Sequence, residues 1–481
     1  MVQRSDVPVR RGAPDGGTTD IPVWAGLQIR AFRGLRYNAD RVTGLAAVTS
    51  PPYDVIDPED ATRLEDLDPH NVVRLILPRE PAEQNGSPVP STPWVQGDHP
   101  RRYAAAATLL QEWLADGVLA LDDRPRLYVY EQGSATHAAR GLIAAVGLCA
   151  PEERIVLPHE DVMPGPVADR LALMRATVAN LEPILLTLQG GPVMSAAMNT
   201  ATGLPPLFDT VAEDSSRQRL WALEDEGQIG AIADELFPRQ ALIADGHHRW
   251  ATYRRLQAEM HAHGAGSGPW DFGLAMLVDA TRAPLQVAAI HRVVADLSLD
   301  HAVSQAAAVF ATIPLSDNLA DALSMLDASE DLHSFVLTDG TQFHLVHSPD
   351  PARLAEALPP GHSARWRALD ASVLHALLLE DVWQVQDEAH RVSYLHDAQS
   401  AVRTAVRRAG VAVLMRPTTT AAVMALAADG ERMPRKSTSF GPKPRSGFVM
   451  RLLREPVLSP PVLLSPVPPP AVMPSDGPGG V

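Results

Sequence analysis

Asp245, Gly246, His247, His248 and Arg249 follow one another at the end of a short apolar run, Ala241 to Ile243, and lead into WATYRRLQAEM. These are residue types that hold phosphates. Arginine offers a fixed charge and a planar fork of donors that suits two-point contact with a phosphate, and imidazoles add further donors. A carboxylate beside such a site can help hold magnesium, which takes one or two protein oxygens together with phosphate oxygens. The spacing also says what must position them. Leu242 and Ile243 read as a buried strand, Gly246 permits a tight reversal, and Trp250, Tyr253, Leu256 and Met260 recur on one face of a helix. The polar residues then gather at a helix N-terminus, where unpaired N–H groups and a partial positive charge favour anions. A helix cap at Asp245 and satisfied polar histidines are the structural alternative for the same residues.

The run resembles the signature of a large bacterial and archaeal family known as domain of unknown function 1015. The resemblance extends over most of the chain through FRGLRYN (Phe32 to Asn38), PPYDVI (Pro51 to Ile56), LPHED (Leu157 to Asp161), IHRVV (Ile290 to Val294), VSYLHDA (Val392 to Ala398) and GERMPRKSTSFGPKPRSG (Gly430 to Gly447). Taken alone, the strand–DGHHR–helix element is also similar to a box of the ParB and sulfiredoxin superfamily. That superfamily includes nucleotide-binding switches and archaeal kinases that phosphorylate free serine, so the likeness implies nucleotide phosphates. Sulfiredoxin chemistry would need a cysteine in the phosphate turn, where this chain has His247. The single cysteine, Cys149, lies in an apolar segment and reads as a buried, inert thiol.

GERMPRKSTSFGPKPRSG is the second candidate element. Three prolines and three glycines disfavour regular structure through most of it, while Arg435, Lys436, Lys443 and Arg445 with Ser437, Thr438 and Ser439 form a dense set of anion donors. It lacks the G-x-x-x-x-G-K-[ST] spacing of a P-loop. Folded over the DGHHR turn, it would complete a phosphate site. LPHED supplies His159 and Glu160, the latter a positional candidate for a base that deprotonates a substrate hydroxyl. Asp54 of PPYDVI is a possible second carboxylate, with a turn role as its alternative. His291–Arg292 reads as a buried pair, Asp169–Arg170 as a solvated one, and His396–Asp397 as either buried or part of the cleft.

Three functions follow as expectations. The first is a phosphotransferase that uses ATP or ADP with Mg2+ on a small hydroxyl compound, free serine being the best single guess. In it Gly246, His248, Arg249, Arg435, Lys436, Ser437, Thr438, Lys443 and Arg445 hold phosphates, Asp245 positions the metal, and Glu160, His247 and Asp54 serve the chemistry. The second is a nucleotide-binding switch without turnover. The third is a metal-dependent hydrolase on His159, His247 and His248, disfavoured because adjacent histidines do not project to one face and H-x-x-x-H spacing is missing.

With 41 basic and 57 acidic residues the net charge is −16, which suits neither DNA nor RNA as a general partner. No apolar stretch approaches the roughly 18 residues of a membrane span, and no apolar leader follows Met1, so a cytoplasmic protein is expected. Alternating strand-like and helix-like segments predict an α+β fold of mixed sheets with packed helices and disordered termini. The expected divisions are a tail at 1–20, a nucleotide-binding region at 21–295, a C-terminal α+β region at 296–456 carrying the basic loop 430–447, and a Pro-rich tail at 457–481. A polar loop is expected from Glu80 to Pro100.

Overall fold

The computed structural model describes residues 21–80, 100–133, 138–282, 284–331, 333–388 and 390–454. The two expected tails and most of the Glu80 to Pro100 loop lie outside the described residues. The architecture is α+β. A nine-stranded mixed sheet runs in the order Val156–Leu157, Ala241–Asp245, Ile184–Leu188, Phe272–Asp279, Ala138–Gly147, Leu127–Gly133, Arg217–Leu223 and Phe208–Val211, with Ile29–Arg30 alongside the end of Ala138–Gly147. Its central strands Ile184–Leu188, Ala241–Asp245 and Phe272–Asp279 are buried throughout. Covered on both faces, they read as continuous apolar runs rather than alternating ones.

Helix His247–Ala262 follows the strand Ala241–Asp245, and its residues Trp250, Tyr253 and Leu256 sink into the core, as the spacing predicts. Helix Pro164–Thr177 opens on a proline. Proline is tolerated in the first turn because the missing N–H would have no partner there. It ends where Val178 turns left-handed (φ 49°) and the next residues join a strand.

The second sheet is antiparallel, in the order Ala311–Pro314, Phe343–His347, Phe335–Thr338, Val411–Met415, His291–Val294 and Val392–Leu395. The Asp339–Gly340 link forms a hairpin, with the Asp339 carboxylate accepting from the backbone N–H of Thr341 and Gln342.

Two pairings matter for the site. The segment PLQVAAIHRVV divides between two sheets. Gln286–Ala288 pairs with Ser439–Gly441 of the basic loop, while His291–Val294 enters the second sheet. Strand Met450–Leu452 pairs with Gly34–Leu35 on one side and Ala179–Asn180 on the other. The basic loop is therefore held by sheet pairing at its middle and just beyond its end. Cys149 is buried, and burial raises its thiol to about 11, as expected of an inert cysteine. No described helix is long and apolar enough to cross a membrane.

Candidate functional site

Gly246 sits at φ +93°, and a Cβ there would come within 2.8 Å of Ile184 Cγ2. Only glycine fits that turn without strain. The first intrahelical bond runs from Trp250 N–H to Gly246 O at 2.9 Å, so the N–H groups of His247, His248 and Arg249 precede the helical ladder. Gly246 itself is the capping residue, so Asp245 does not cap the helix. One Asp245 oxygen accepts from Arg249 at 2.5 Å and the other lies 2.7 Å from Lys443 Nζ.

Arg249 is 3% exposed. Its guanidinium turns inward, donating to the Pro183 carbonyl (2.6 Å) as well as to Asp245. Burial opposes its charge, but Asp245 and Glu182 outweigh that and raise its pKa. His247 Nε2 accepts the His159 N–H (3.3 Å), and the two rings meet edge to face at 4.5 Å. Burial, reinforced by His248 and nearby cations, lowers His247 to about 3. Burial and then His247 push His159 well below the usual imidazole range. His248 Nε2 accepts the Met163 N–H at 3.0 Å, and burial lowers its pKa against the pull of Glu160. All three rings are neutral near pH 7.

The basic loop forms the facing wall, clamped to LPHED along its length. Arg432 donates to the Pro158 carbonyl, Met433 N–H to the His159 carbonyl (2.8 Å), and Lys436 N–H to Glu160 (3.2 Å). His159 Nε2 shares a hydrogen bond with Thr438 Oγ1 at 2.9 Å. Lys443 Nζ lies between Asp54 (2.8 Å) and Asp245 (2.7 Å). Burial pushes Asp54 up, but Lys443 and Arg249 prevail and hold it at about 2, although a third of its side chain meets solvent. Lys443 is raised by the same two carboxylates, against its own burial.

Turn, LPHED, PPYDVI and loop line a common cleft. Its lining includes Asp54, Glu160, Asp245, Gly246, His247, His248 and Arg249 from the first three segments, and Arg435, Lys436, Thr438 and Lys443 from the loop. Two expected members are not part of its lining. Ser437 turns its hydroxyl to the Pro434 carbonyl, and Arg445 is buried beneath the loop, 3.5 Å from both Asp214 and the Thr49 carbonyl.

Tyr53, Met163, Ile290 and Phe440 also line the cleft and carry no signal of their own in the sequence. His396 lines it, whereas Asp397 caps the helix Ala398–Arg407. Glu182 was also missed. Buried behind the turn, it accepts from Tyr53 N–H (3.0 Å) and the Ser446 hydroxyl (3.1 Å), and burial raises its pKa. Its apolar neighbours Leu181 and Ile184 were the available clue. Of the Asp169–Arg170 pair expected in solvent, Arg170 is buried, 5% exposed, and donates to the Ile76 carbonyl, while Asp169 is half-buried and also binds Arg102 and Tyr103.

Residues 29–372 match the family described as protein of unknown function (DUF1015). The chain belongs to that family. No curated protein matches it. Solved structures similar to this DUF1015 chain include a free serine kinase in complex with AMP, 14% identical over 64% of this chain and 91% of that one, with a TM-score of 0.32. A conserved hypothetical protein from Pyrococcus furiosus is 13% identical over 63% and 90%, TM-score 0.30. SbnI with C-terminal truncation from Staphylococcus aureus is 11% identical over 62% and 82%, TM-score 0.31. At such identities and scores the chemistry rests on this chain's own residues.

Proposed function

We propose that this DUF1015 protein binds the phosphates of ATP or ADP and transfers the terminal phosphoryl group to a small hydroxyl compound, with free serine the first acceptor to try. One observation carries the reading. Arg435 and Lys436 are exposed cleft residues that, among the described residues, are ion-paired to no carboxylate, and they share the cleft with the first turn of helix His247–Ala262. Uncompensated cations beside free helix N–H groups make an anion seat.

In this reading the first-turn N–H groups, Arg435 and Lys436 hold the phosphates. Glu160 takes the acceptor's hydroxyl proton as its oxygen bonds to the terminal phosphorus and the bridging P–O bond to the nucleotide breaks. Positioning and charge neutralisation are most of what phosphoryl transfer asks of a protein. Arg249 is bonded within the protein, and His247 and His248 each accept a backbone N–H through Nε2, so in this reading all three shape the floor.

Magnesium does not fit as a resident ion. Both oxygens of Asp245 are engaged, by Arg249 and by Lys443. Any magnesium would come with the nucleotide's phosphates. The hydrolase alternative has less support, because among the described residues no three His, Cys, Asp or Glu side chains gather in a metal-binding arrangement. Binding without turnover is the second reading. It is favoured by Lys443, which neutralises Asp54 and Asp245 and leaves Glu160 as the one base in this scheme.

The test is incubation of the full chain with ATP or ADP, magnesium, and serine or a panel of other amino acids and alcohols, with phosphorylated product followed by 31P NMR. Product formation that falls about 10²- to 10⁴-fold in Glu160→Gln is expected. Unchanged turnover in Glu160→Gln, or in the Arg435→Ala, Lys436→Ala double variant, overturns the assignment. Nucleotide affinity without any product selects the switch.

A further inference from the structure

The aromatic rings that line the cleft are mostly closed to a ligand. Tyr53 is 4% exposed, with the Arg170 guanidinium 4.4 Å above its ring. Phe440 is 1% exposed and set against the edge of His159. His159 and His247 are buried against each other. His396 differs. It is an exposed cleft residue, on the Val392–Ala398 segment where it leaves the second sheet, and its ring packs on no aromatic neighbour among the described residues.

Some of the neutral hydrogen-bonding groups of the cleft are bonded inside the protein. Thr438 Oγ1 is held by His159, and His248 Nε2 by the Met163 N–H. An exposed planar ring can stack on any base without reading its edge. Partial desolvation, with Lys443 and Lys436 nearby, holds the His396 pKa below its ordinary value, so the ring is neutral.

We propose that His396 stacks on the nucleobase of a ligand whose phosphates lie against Arg435 and Lys436, so that the site reads the phosphate chain and accepts any base. This rests on the phosphate-site reading above and adds a residue and a specificity to it. Discrimination on a large scale comes from buried donors and acceptors left unpaired by the wrong ligand, and a stacking contact has none to leave unpaired.

The experiment is calorimetric titration of the full chain with ATP, GTP, CTP, UTP and inorganic tripolyphosphate, for the wild type, His396→Ala and His396→Phe. The four nucleotides are expected to bind the wild type within about threefold of one another. His396→Ala should weaken all four by about 5- to 100-fold, the range of a lost base–aromatic stack, and leave tripolyphosphate within about twofold. His396→Phe should restore nucleotide binding to within about threefold. Preference for one base beyond about tenfold, equal weakening of tripolyphosphate in His396→Ala, or failure of His396→Phe to restore binding overturns the stacking assignment and leaves the phosphate site standing. Absence of binding by all five ligands overturns both.

Discussion

The floor and the wall of the cleft are both rich in charge, yet they are built in opposite ways. On the floor, Arg249 is 3% exposed and Asp245 8%, and each is bonded inside the protein. On the wall, Arg435 and Lys436 are exposed, and no carboxylate among the described residues lies within ion-pairing distance of either. Lys436 is also held in a left-handed conformation at φ 55°, which places backbone strain on the cleft side. An arginine beside a turn is therefore no guide to what it grips. Burial and partners decide whether its charge serves the fold or a ligand.

The largest effect should come from the floor. Arg249→Ala leaves Asp245 in a buried site with one partner removed, and about 3–5 kcal/mol of stability should be lost in urea unfolding, the usual cost of breaking a buried pair. Full stability with abolished nucleotide binding would erase the distinction between floor and wall. The wall should behave in reverse. Arg435→Ala and Lys436→Ala should each cost about 1.5–3 kcal/mol of nucleotide affinity by titration calorimetry, the worth of a charge-assisted hydrogen bond. Their stability should stay within about 0.5 kcal/mol of wild type. Gly246→Ala tests the hinge between the two, since a side chain at φ +93° should destabilise by about 1–3 kcal/mol through strain alone.

Smaller effects appear in pH dependence. His247 titrates near 3 in the folded chain and near 6.5 unfolded, so between those values the unfolded state binds more protons. Stability should fall as pH drops through that window, by up to about 1.4 kcal/mol per pH unit for each such histidine, and His247→Phe should flatten the slope. Asp54 acts lower. With its pKa held at about 2 against 3.8 unfolded, its contribution is complete above the unfolded value and disappears as pH falls from about 4 to 2. Thermal unfolding of Asp54→Asn against wild type should therefore differ near pH 6 and converge near pH 2.

Local signals in the sequence were enough to place the strand, the Gly246 turn and the helix, because apolar spacing and a glycine are short-range facts. They also identified the basic loop, and the structure brings it onto the turn. They did not reveal which charges face outward. Nothing in DGHHR distinguishes an arginine that binds Pro183 O, 66 positions away, from one that waits for phosphate. Ser437 and Arg445 carry the same chemical signal as Lys436 but turn away, for reasons set by the fold beneath the loop. The Asp169–Arg170 pair was misread on the same ground. Its partners Arg102, Tyr103 and Ile76 come from distant segments, and only tertiary packing reveals them.

The Lys443–Asp54 contact joins residues 389 positions apart. A ribosome releases the chain from its N-terminal end, so Asp54 and the DGHHR turn emerge long before the lysine that bridges them. Until then Asp54 and Asp245 face each other without a cation between them. The pocket is completed only once Lys443 has emerged, and a polypeptide that stops short of it carries its floor without its wall.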